Sequence, residues 1–502
     1  MKLSALVGNL KYQLLQGTME KDVSELIYFS DEAVPGSVFF AIPGTLKNGT
    51  CYIGEAIKRG AETIVVEEGQ DLQCLASKGQ KERRIFTSSA EGEKVTVLQV
   101  KDVRKALAWM SRSFFGKPDQ DLMIIGITGT KGKTSTAYML RQILEAGGIP
   151  TGLISTAEIG YTGHFCQAEH TTPQSKDIYQ WCRRMVDGGC KALVMEVSSQ
   201  GLMQSRVEGI SFAIGIFTNI SPDHIGEGEH KSFEEYFYWK STLFKHCKKA
   251  IINGDDPHGK EILKNIAPED VFTFGTGEEA DFRIQNCRLS GKGDIPGICF
   301  CLNGRDVYLP MAGRFNAWNG AAAAAAANVS GVGWAAVKKG LCQVKVPGRV
   351  EVVDGGRPCT ILVDYAHNGE ALRKVLTGLR EYKPKRLILV FGCGGNRDRN
   401  RRFEMGRVAA QLADFTVITS DNPRREEPKR IIRDIEEAMN EAGGTSVSIE
   451  DRAKAIKYAI ECGEKGDMIL IAGKGHETYQ MIGTEKRYFD DREVITSMRK
   501  NQ

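Results

Sequence analysis

Hydrophobic positions along this chain fall into two rhythms. Short continuous apolar runs, among them Leu122–Ile127, Ala192–Val197, Ile214–Thr218 and Ala250–Asn253, have the length and content of strands buried on both faces. The segments between them carry the period of amphipathic helices, and this alternation from Asp121 onward predicts a mostly parallel sheet. It starts afresh beyond Val346-Pro347-Gly348, with strands at Thr360–Tyr365, Leu387–Phe391, Phe415–Thr419 and Met468–Ile471 and helices such as Lys429–Asn440. That second set reads as a Rossmann-like unit without the G-x-G-x-x-G of dinucleotide binders. Ahead of Phe115-Gly116-Lys117-Pro118, shorter runs such as Ser37–Ile42 and Glu62–Val66 mix with helical stretches. The expected organisation is α/β with three domains: a small N-terminal α/β domain (1–115), a central P-loop ATPase-like parallel sheet (116–346) and a C-terminal Rossmann-like domain (347–502). The alanine run Ala321–Ala327, following Phe315-Asn316-Ala317-Trp318-Asn319, reads as a close-packed helix rather than low complexity.

Composition narrows the function. With 502 residues, 41% of them hydrophobic, the chain can bury several cores. Lys and Arg total 67 against 63 Asp and Glu, and the net charge of +4 argues against nucleic-acid or membrane-surface partners. Thirteen cysteines include no CxxC pair, so reduced thiols in a cytoplasmic protein fit better than a zinc ribbon or a disulfide framework. Lys2 and Lys11 interrupt the apolar residues of the N-terminus, and no window approaches a membrane span, so a soluble, unprocessed protein is expected; a monomer is the separate expectation for its assembly.

The chemistry begins at Thr128-Gly129-Thr130-Lys131-Gly132-Lys133-Thr134-Ser135, between an apolar strand and the helical pattern Ala137–Ala146. Glycines let successive backbone N–H groups turn toward one anion, the helix adds its positive N-terminal end, Lys133 adds a full charge, and Thr134 can hold Mg²⁺. Ile127 stands where the general pattern has its first glycine. A nucleoside triphosphate site is expected here. In Val194-Met195-Glu196-Val197-Ser198-Ser199 a carboxylate leaves an apolar strand, as a Mg²⁺ ligand would. Asp223 and His224, just past another strand, read equally as site or capping turn, and Lys240 in the aromatic stretch Tyr236–Phe244 reads by itself as a snorkelling surface lysine.

Taken in order, Thr128–Thr134, Glu196-Val-Ser-Ser199, Thr218-Asn219 with Asp223-His224, Lys240 before Leu243-Phe244, Asn316-x-x-Asn319, Gly348-Arg349-Val-Glu351 and Asp364-Tyr-Ala-His367 resemble the Mur ligase family over nearly the whole chain. Phe391-Gly-Cys-Gly-Gly395, Asp421-Asn422-Pro423-Arg424 and Gly473-Lys-Gly-His-Glu477 resemble its diaminopimelate-adding type. The resemblance implies a cell-wall precursor enzyme that uses ATP and Mg²⁺ to join meso-diaminopimelate to UDP-N-acetylmuramoyl-L-alanyl-D-glutamate through an acyl phosphate. It implies catalytic roles for Lys133, Glu196, His224 and Lys240, with Lys240 carbamylated (N6-carboxylysine) to support a second metal ion beside His224, and Thr134 and Glu196 on the first. Asn319 is expected near adenine, Asp364 near ribose and Arg349 near the phosphates, with closure of the last domain assembling the site.

For the amino acid, the resemblance implies Arg397, Asn422, Arg424, Gly473 and Glu477. An arginine fork can grip the second carboxylate of diaminopimelate bidentately, and L-lysine has none. For the UDP-sugar dipeptide it implies Ser30, Thr171, Thr172, Ser198 and Arg206, with the N-terminal domain binding UDP. Here the chain departs from the family: Phe29-Ser30-Asp31 stands for Asp-Ser-Arg, Gln200 for a histidine, Gly226 where an acid is usual, and Asn396 where aspartate is common. Alternatives are the same ligase chemistry with L-lysine or on another acceptor, such as a modified muramoyl peptide or a folate polyglutamate, and a non-catalytic nucleotide-sensing paralogue. Retention of Lys133, Glu196, His224 and Lys240 speaks against the sensor.

Overall fold

A computed structural model describes residues 1–44, 48–70, 95–223, 225–226, 229–265, 270–292 and 295–499. Packing divides the chain into two units. One comprises Met1–Lys131, Ile149–Ile252 and Asp256–Val271; the other Gly132–Gly148, Asn253–Asp255 and Phe272–Gln502. One boundary between the units falls between Lys131 and Gly132.

In the first unit, the N-terminal residues form a sheet in the order Tyr12–Gln16, Thr96–Val100, Ala61–Glu67, Ser37–Phe40, Glu25–Ile27. Only the first pairing is antiparallel. The helix Val103–Phe114 packs on it because Leu107 and Met110 point into its core, and Asp102 caps the start, its Oδ1 accepting the N–H groups of Arg104 and Lys105 at 2.9 and 3.0 Å.

The central sheet of this unit runs Cys247–Asn253, Phe212–Phe217, Met123–Thr128, Ala192–Glu196, Thr151–Ile154, parallel throughout. The hairpin strands Glu158–Tyr161 and His164–Gln167 extend its edge antiparallel, an addition to the parallel pattern expected from sequence. Each is only four residues long, and apart from buried Ile159 and Gly160 their residues are half-buried or exposed, so neither wrote a clear apolar run. Residues of the strand Ala192–Glu196 are buried throughout, which is why the sequence there is a continuous apolar run.

In the second unit, the phosphate-loop helix Lys133–Ala146 packs with the alanine helix Asn316–Val329 and with Trp334–Cys342. The seven alanines are fully buried, and small side chains let the helix backbones approach closely. Strands Phe282–Lys292, Ile295–Leu302 and Arg305–Leu309 form an antiparallel meander that the strand–helix pattern did not foretell. The C-terminal sheet runs Glu351–Val352, Thr360–Asp364, Met468–Ala472, Leu387–Phe391, Phe415–Ile418, Ser446–Ser448, with only the first pairing antiparallel. Alternate residues of one strand serve opposite faces. Leu387, Leu389 and Phe391 pack with Leu376, Met405 and Ile435, while Ile388 and Val390 pack with Ile456, Ile460 and Ile495. Helices on both faces are the doubly wound arrangement, and the motifs leave the carboxyl ends of its strands.

Candidate active site

In the first unit, the backbone geometry of the phosphate loop is set by contacts with residues after the strand Phe212–Phe217. Gly129 has φ 148°, and a Cβ there would lie 2.0 Å from Thr218 Oγ1. Thr218 Oγ1 and Asn219 Nδ2 donate to Lys131 O at 2.8 and 3.0 Å, Asn219 Oδ1 accepts the Lys131 N–H, and Thr130 N–H donates to Asn219 O. Thr128 ends its strand buried, its hydroxyl without a hydrogen-bond partner among the described residues. Lys131 Nζ pairs with Asp223 Oδ2 at 3.0 Å. His224 lies outside the described residues.

Glu196 is 0% exposed at the end of its strand. Thr156 meets it twice: its N–H donates to Oε1 at 2.8 Å and its hydroxyl lies 3.1 Å from Oε2. The Thr156 hydroxyl also lies 3.0 Å from Thr171 Oγ1, so a hydroxyl chain joins the carboxylate to an expected dipeptide residue. Thr172 Oγ1 lies 3.0 Å from Glu196 O and accepts the Ser198 N–H at 3.0 Å, and Arg206 Nη1 donates to Thr172 O at 2.6 Å. Thr171, Thr172, Ser198 and Arg206 are thus brought together around the strand end. Ser30 is set apart from them in these contacts: its hydroxyl is buried and donates to Glu55 Oε2 at 3.0 Å.

Lys240 is not the surface residue that its helix pattern alone suggested. It is 2% exposed, its Nζ donates to Gly129 O at 2.9 Å, and the ammonium sits 4.5 Å from the Tyr236 ring centre. Tyr236 in turn meets Thr130 Oγ1 at 3.1 Å. Buried His230, which sequence reasoning passed over, contacts Ser199 Oγ at 2.8 Å and the Tyr236 ring. Among the described residues no three His, Cys, Asp or Glu side chains converge as a metal cage. Mg²⁺ bound together with phosphates takes only one or two carboxylates. Each Glu196 oxygen accepts one hydrogen bond, which leaves lone pairs for a cation, so the residue fits that use.

In the second unit, Gly132 has φ 86°, and a Cβ there would lie 2.3 Å from Asn319 Oδ1. Asn319 is held by Asn316, which accepts its Nδ2 at 2.9 Å. Lys133, Thr134 and Ser135 open the loop helix, and Thr134 and Ser135 are buried. Arg349 Nη2 lies 3.4 Å from Thr134 Oγ1, with its guanidinium over the Tyr365 ring. Asp364 ends its strand buried, its two oxygens accepting the N–H groups of Val350 and Ala366 at 2.8 Å. Burial raises its carboxyl above the ordinary range, opposed by Arg349 and those N–H groups.

Of the residues expected for the amino acid, Asn422, Arg424, Gly473 and Glu477 lie past the ends of the strands Phe415–Ile418 and Met468–Ala472, which flank Leu387–Phe391 in the sheet, and beside the hairpin Tyr479–Ile482/Glu485–Tyr488. Asn422 Nδ2 donates to Glu477 Oε2 at 3.0 Å, and Asn422 Oδ1 accepts Met481 N–H at 2.9 Å. Arg424 adopts φ 52°, its N–H donating to Met481 O and its Nη1 to Gly395 O at 2.9 Å. Gly473, at φ 112°, has Asp421 Oδ2 where a Cβ would be, 2.5 Å away. Burial raises the Glu477 carboxyl, with Lys474 opposing. Arg397 is exposed to solvent.

The missed residue here is Lys474. Its only sequence signal was its place three before Glu477 in a quoted motif. Thr156 had no signal, since nothing in Ser155-Thr156 points to a partner forty residues on.

Residues 28–115 match the Mur ligase family catalytic domain, 127–327 the Mur ligase middle domain and 348–475 the Mur ligase glutamate ligase domain. The chain is 37% identical to the UDP-N-acetylmuramoyl-L-alanyl-D-glutamate–2,6-diaminopimelate ligase of Clostridium perfringens over 99% of each chain. It is 39% identical to the protein of that name from Caldanaerobacter subterraneus, over 99% of this chain and 98% of the other. A solved structure of a ligase so named superposes with a TM-score of 0.67 at 27% identity, covering 100% of this chain and 99% of that one.

Proposed function

The chain belongs to the Mur ligase family, and from that premise we propose that it is an ATP-dependent amide ligase joining meso-diaminopimelate to UDP-N-acetylmuramoyl-L-alanyl-D-glutamate in peptidoglycan precursor synthesis. The relatives' names support the substrates. The observation that carries the reading in this chain is the C-terminal pocket. There Arg424 and Glu477 are tied to one scaffold through Asn422 and Met481, offering a cation for a carboxylate and a carboxylate for an ammonium.

A carboxylate is a poor acyl donor. Transfer of the ATP γ-phosphoryl group to the terminal glutamate carboxylate gives an acyl phosphate and ADP; the amine of diaminopimelate attacks that carbonyl, phosphate leaves, and a proton is released as the amide forms. Little covalent chemistry falls to the protein, so its contribution is positioning and charge neutralisation. In this reading the backbone N–H groups of 128–135, the Lys133 charge and Arg349 serve the phosphates, Asn319 serves adenine and Asp364 the ribose. Glu196, His224, Thr134 and Lys240 as a carbamate are the groups proposed for Mg²⁺, which supplies neutralisation of phosphate charge when bound. Thr171, Thr172, Ser198 and Arg206 serve the dipeptide, and Ser30 the UDP moiety. The described residues include no helix long and apolar enough to cross a membrane. We place the reaction in the cytoplasm, where ATP and nucleotide-activated sugars are both at hand.

The experiment mixes the purified protein with ATP, Mg²⁺, the UDP-muramoyl dipeptide and either meso-diaminopimelate or L-lysine, and reads the product mass. Tripeptide with diaminopimelate and stoichiometric ADP is expected. Arg424→Ala is expected to raise the diaminopimelate KM by about 30-fold or more, the loss of one partner of a charged hydrogen-bonded pair. Turnover with lysine alone refutes the specificity, and nucleotide binding without ADP release refutes the ligase.

A further inference from the structure

The pocket proposed for the amino acid holds a cation of the protein's own. Lys474 is 0% exposed. Its Nζ donates to Asn422 Oδ1 at 3.1 Å and to Glu477 Oε2 at 3.2 Å, lies 3.8 Å from Asp421 Oδ1, and sits 5.4 Å from the Tyr479 ring centre. Two carboxylates, Asp421 and Glu477, therefore share one buried ammonium. The other buried cation close by is already matched: Arg452 meets both Asp491 oxygens, at 2.8 and 2.7 Å, and donates to Ala472 O at 3.0 Å. Arg424 is bound to the backbone through Gly395 O.

Resting on the diaminopimelate reading above, we propose that Lys474 is a specificity-determining residue, cancelling one of the two carboxylates so that the pocket keeps one unmatched negative and one unmatched positive charge. That pair of charges suits the far end of diaminopimelate, which carries an ammonium and a carboxylate together and has no net charge. L-lysine ends in an ammonium alone. With Lys474 present, the Arg424 charge repels that ammonium about as strongly as the single unmatched carboxylate attracts it. Without Lys474, two carboxylates face one guanidinium, and the excess negative charge favours the lone ammonium. Lys474 also holds Asn422 and Glu477 in place, but position alone does not make this charge-dependent distinction.

The test uses the full chain in a competition assay with equal meso-diaminopimelate and L-lysine, tripeptides being separated by mass. Lys474→Met is expected to lower kcat/KM for diaminopimelate by about 30-fold, mostly through KM. The KM for ATP should stay within about twofold, and the lysine share of product should rise. Adding Asp421→Asn removes one carboxylate with the ammonium and should return most of the lost preference. Asp421→Asn alone should raise the diaminopimelate KM without raising the lysine share. A folded Lys474→Met with unchanged preference overturns the proposal, as does a double variant no closer to the parent than the single one. Should Lys474→Met fail to fold, Asp421→Asn decides: an unchanged diaminopimelate KM overturns the charge balance. A parent protein that joins neither amino acid refutes the ligase reading itself, whereas an active parent with unmoved variants refutes only the role of Lys474.

Discussion

Thr156→Val tests whether Glu196 acts as a positioned cation ligand. The substitution keeps the β-branched shape and the backbone N–H that reaches Glu196 Oε1 at 2.8 Å, and removes only the hydroxyl 3.1 Å from Oε2 and 3.0 Å from Thr171. A hydrogen bond to a charged group contributes about 1.5–3 kcal/mol, and the remaining N–H bond keeps the carboxylate partly satisfied, so the expected stability loss is about 2 kcal/mol. The functional effect should be larger than that loss implies. A carboxylate ligand that loses its supporting hydrogen bond typically costs about 10–100-fold in metal affinity. The assay is ADP release against Mg²⁺ concentration, alongside urea denaturation. The half-saturating Mg²⁺ concentration should rise about tenfold or more while the rate at saturating Mg²⁺ largely recovers. Thr156→Ser, which keeps the hydroxyl, should behave as the parent. A Thr156→Val protein with parental Mg²⁺ dependence refutes the idea that this contact orients a metal ligand, and an unchanged denaturation midpoint refutes its energetic weight.

Gly132→Ala places a Cβ 2.3 Å from Asn319 Oδ1 at φ 86°, so ATP should no longer raise the melting temperature, and a parental thermal shift with ATP would contradict this. Arg452→Met leaves Asp491 buried and unpaired and should cost about 3–5 kcal/mol in chemical denaturation, and Arg452→Met/Asp491→Leu should regain much of it. Asp434 is held below the ordinary aspartate value of 3.8, first by Arg399 and then by Arg402. A depressed carboxylate stabilises the fold above that ordinary value and loses the contribution as pH falls through its folded value. Acid unfolding below about pH 4 should therefore be less steep in Asp434→Asn, and identical profiles would remove Asp434 from the account.

The strand–helix alternation and the glycine-bearing turn that joins strand to helix at 129–132 were legible in the residues because both are local. Strand burial writes a continuous apolar run, the helix writes its period, and the loop joins them within a few positions, as Met123–Thr128 and Lys133–Ala146 bear out. What was not local was not legible. Thr156 reaches Glu196 because the strand Thr151–Ile154 lies in parallel register beside Ala192–Glu196, with Met195 opposite Ile154, and no spacing within either segment encodes that pairing. The burial of Lys240 was hidden in a helix with aromatic residues nearly all round, where no polar face marks the outside; packing chose the face that carries Tyr236 and Lys240 inward. Lys474 looked like an ordinary lysine between glycines until the fold set its ammonium between Asp421 and Glu477. The sequence by itself determined the strands and helices of the two alternating sheets and their order, since these follow from short-range sterics and hydrophobic period. Which polar groups share a buried charge was decided only by tertiary structure, because the energy of a buried ion depends on neighbours far away along the chain.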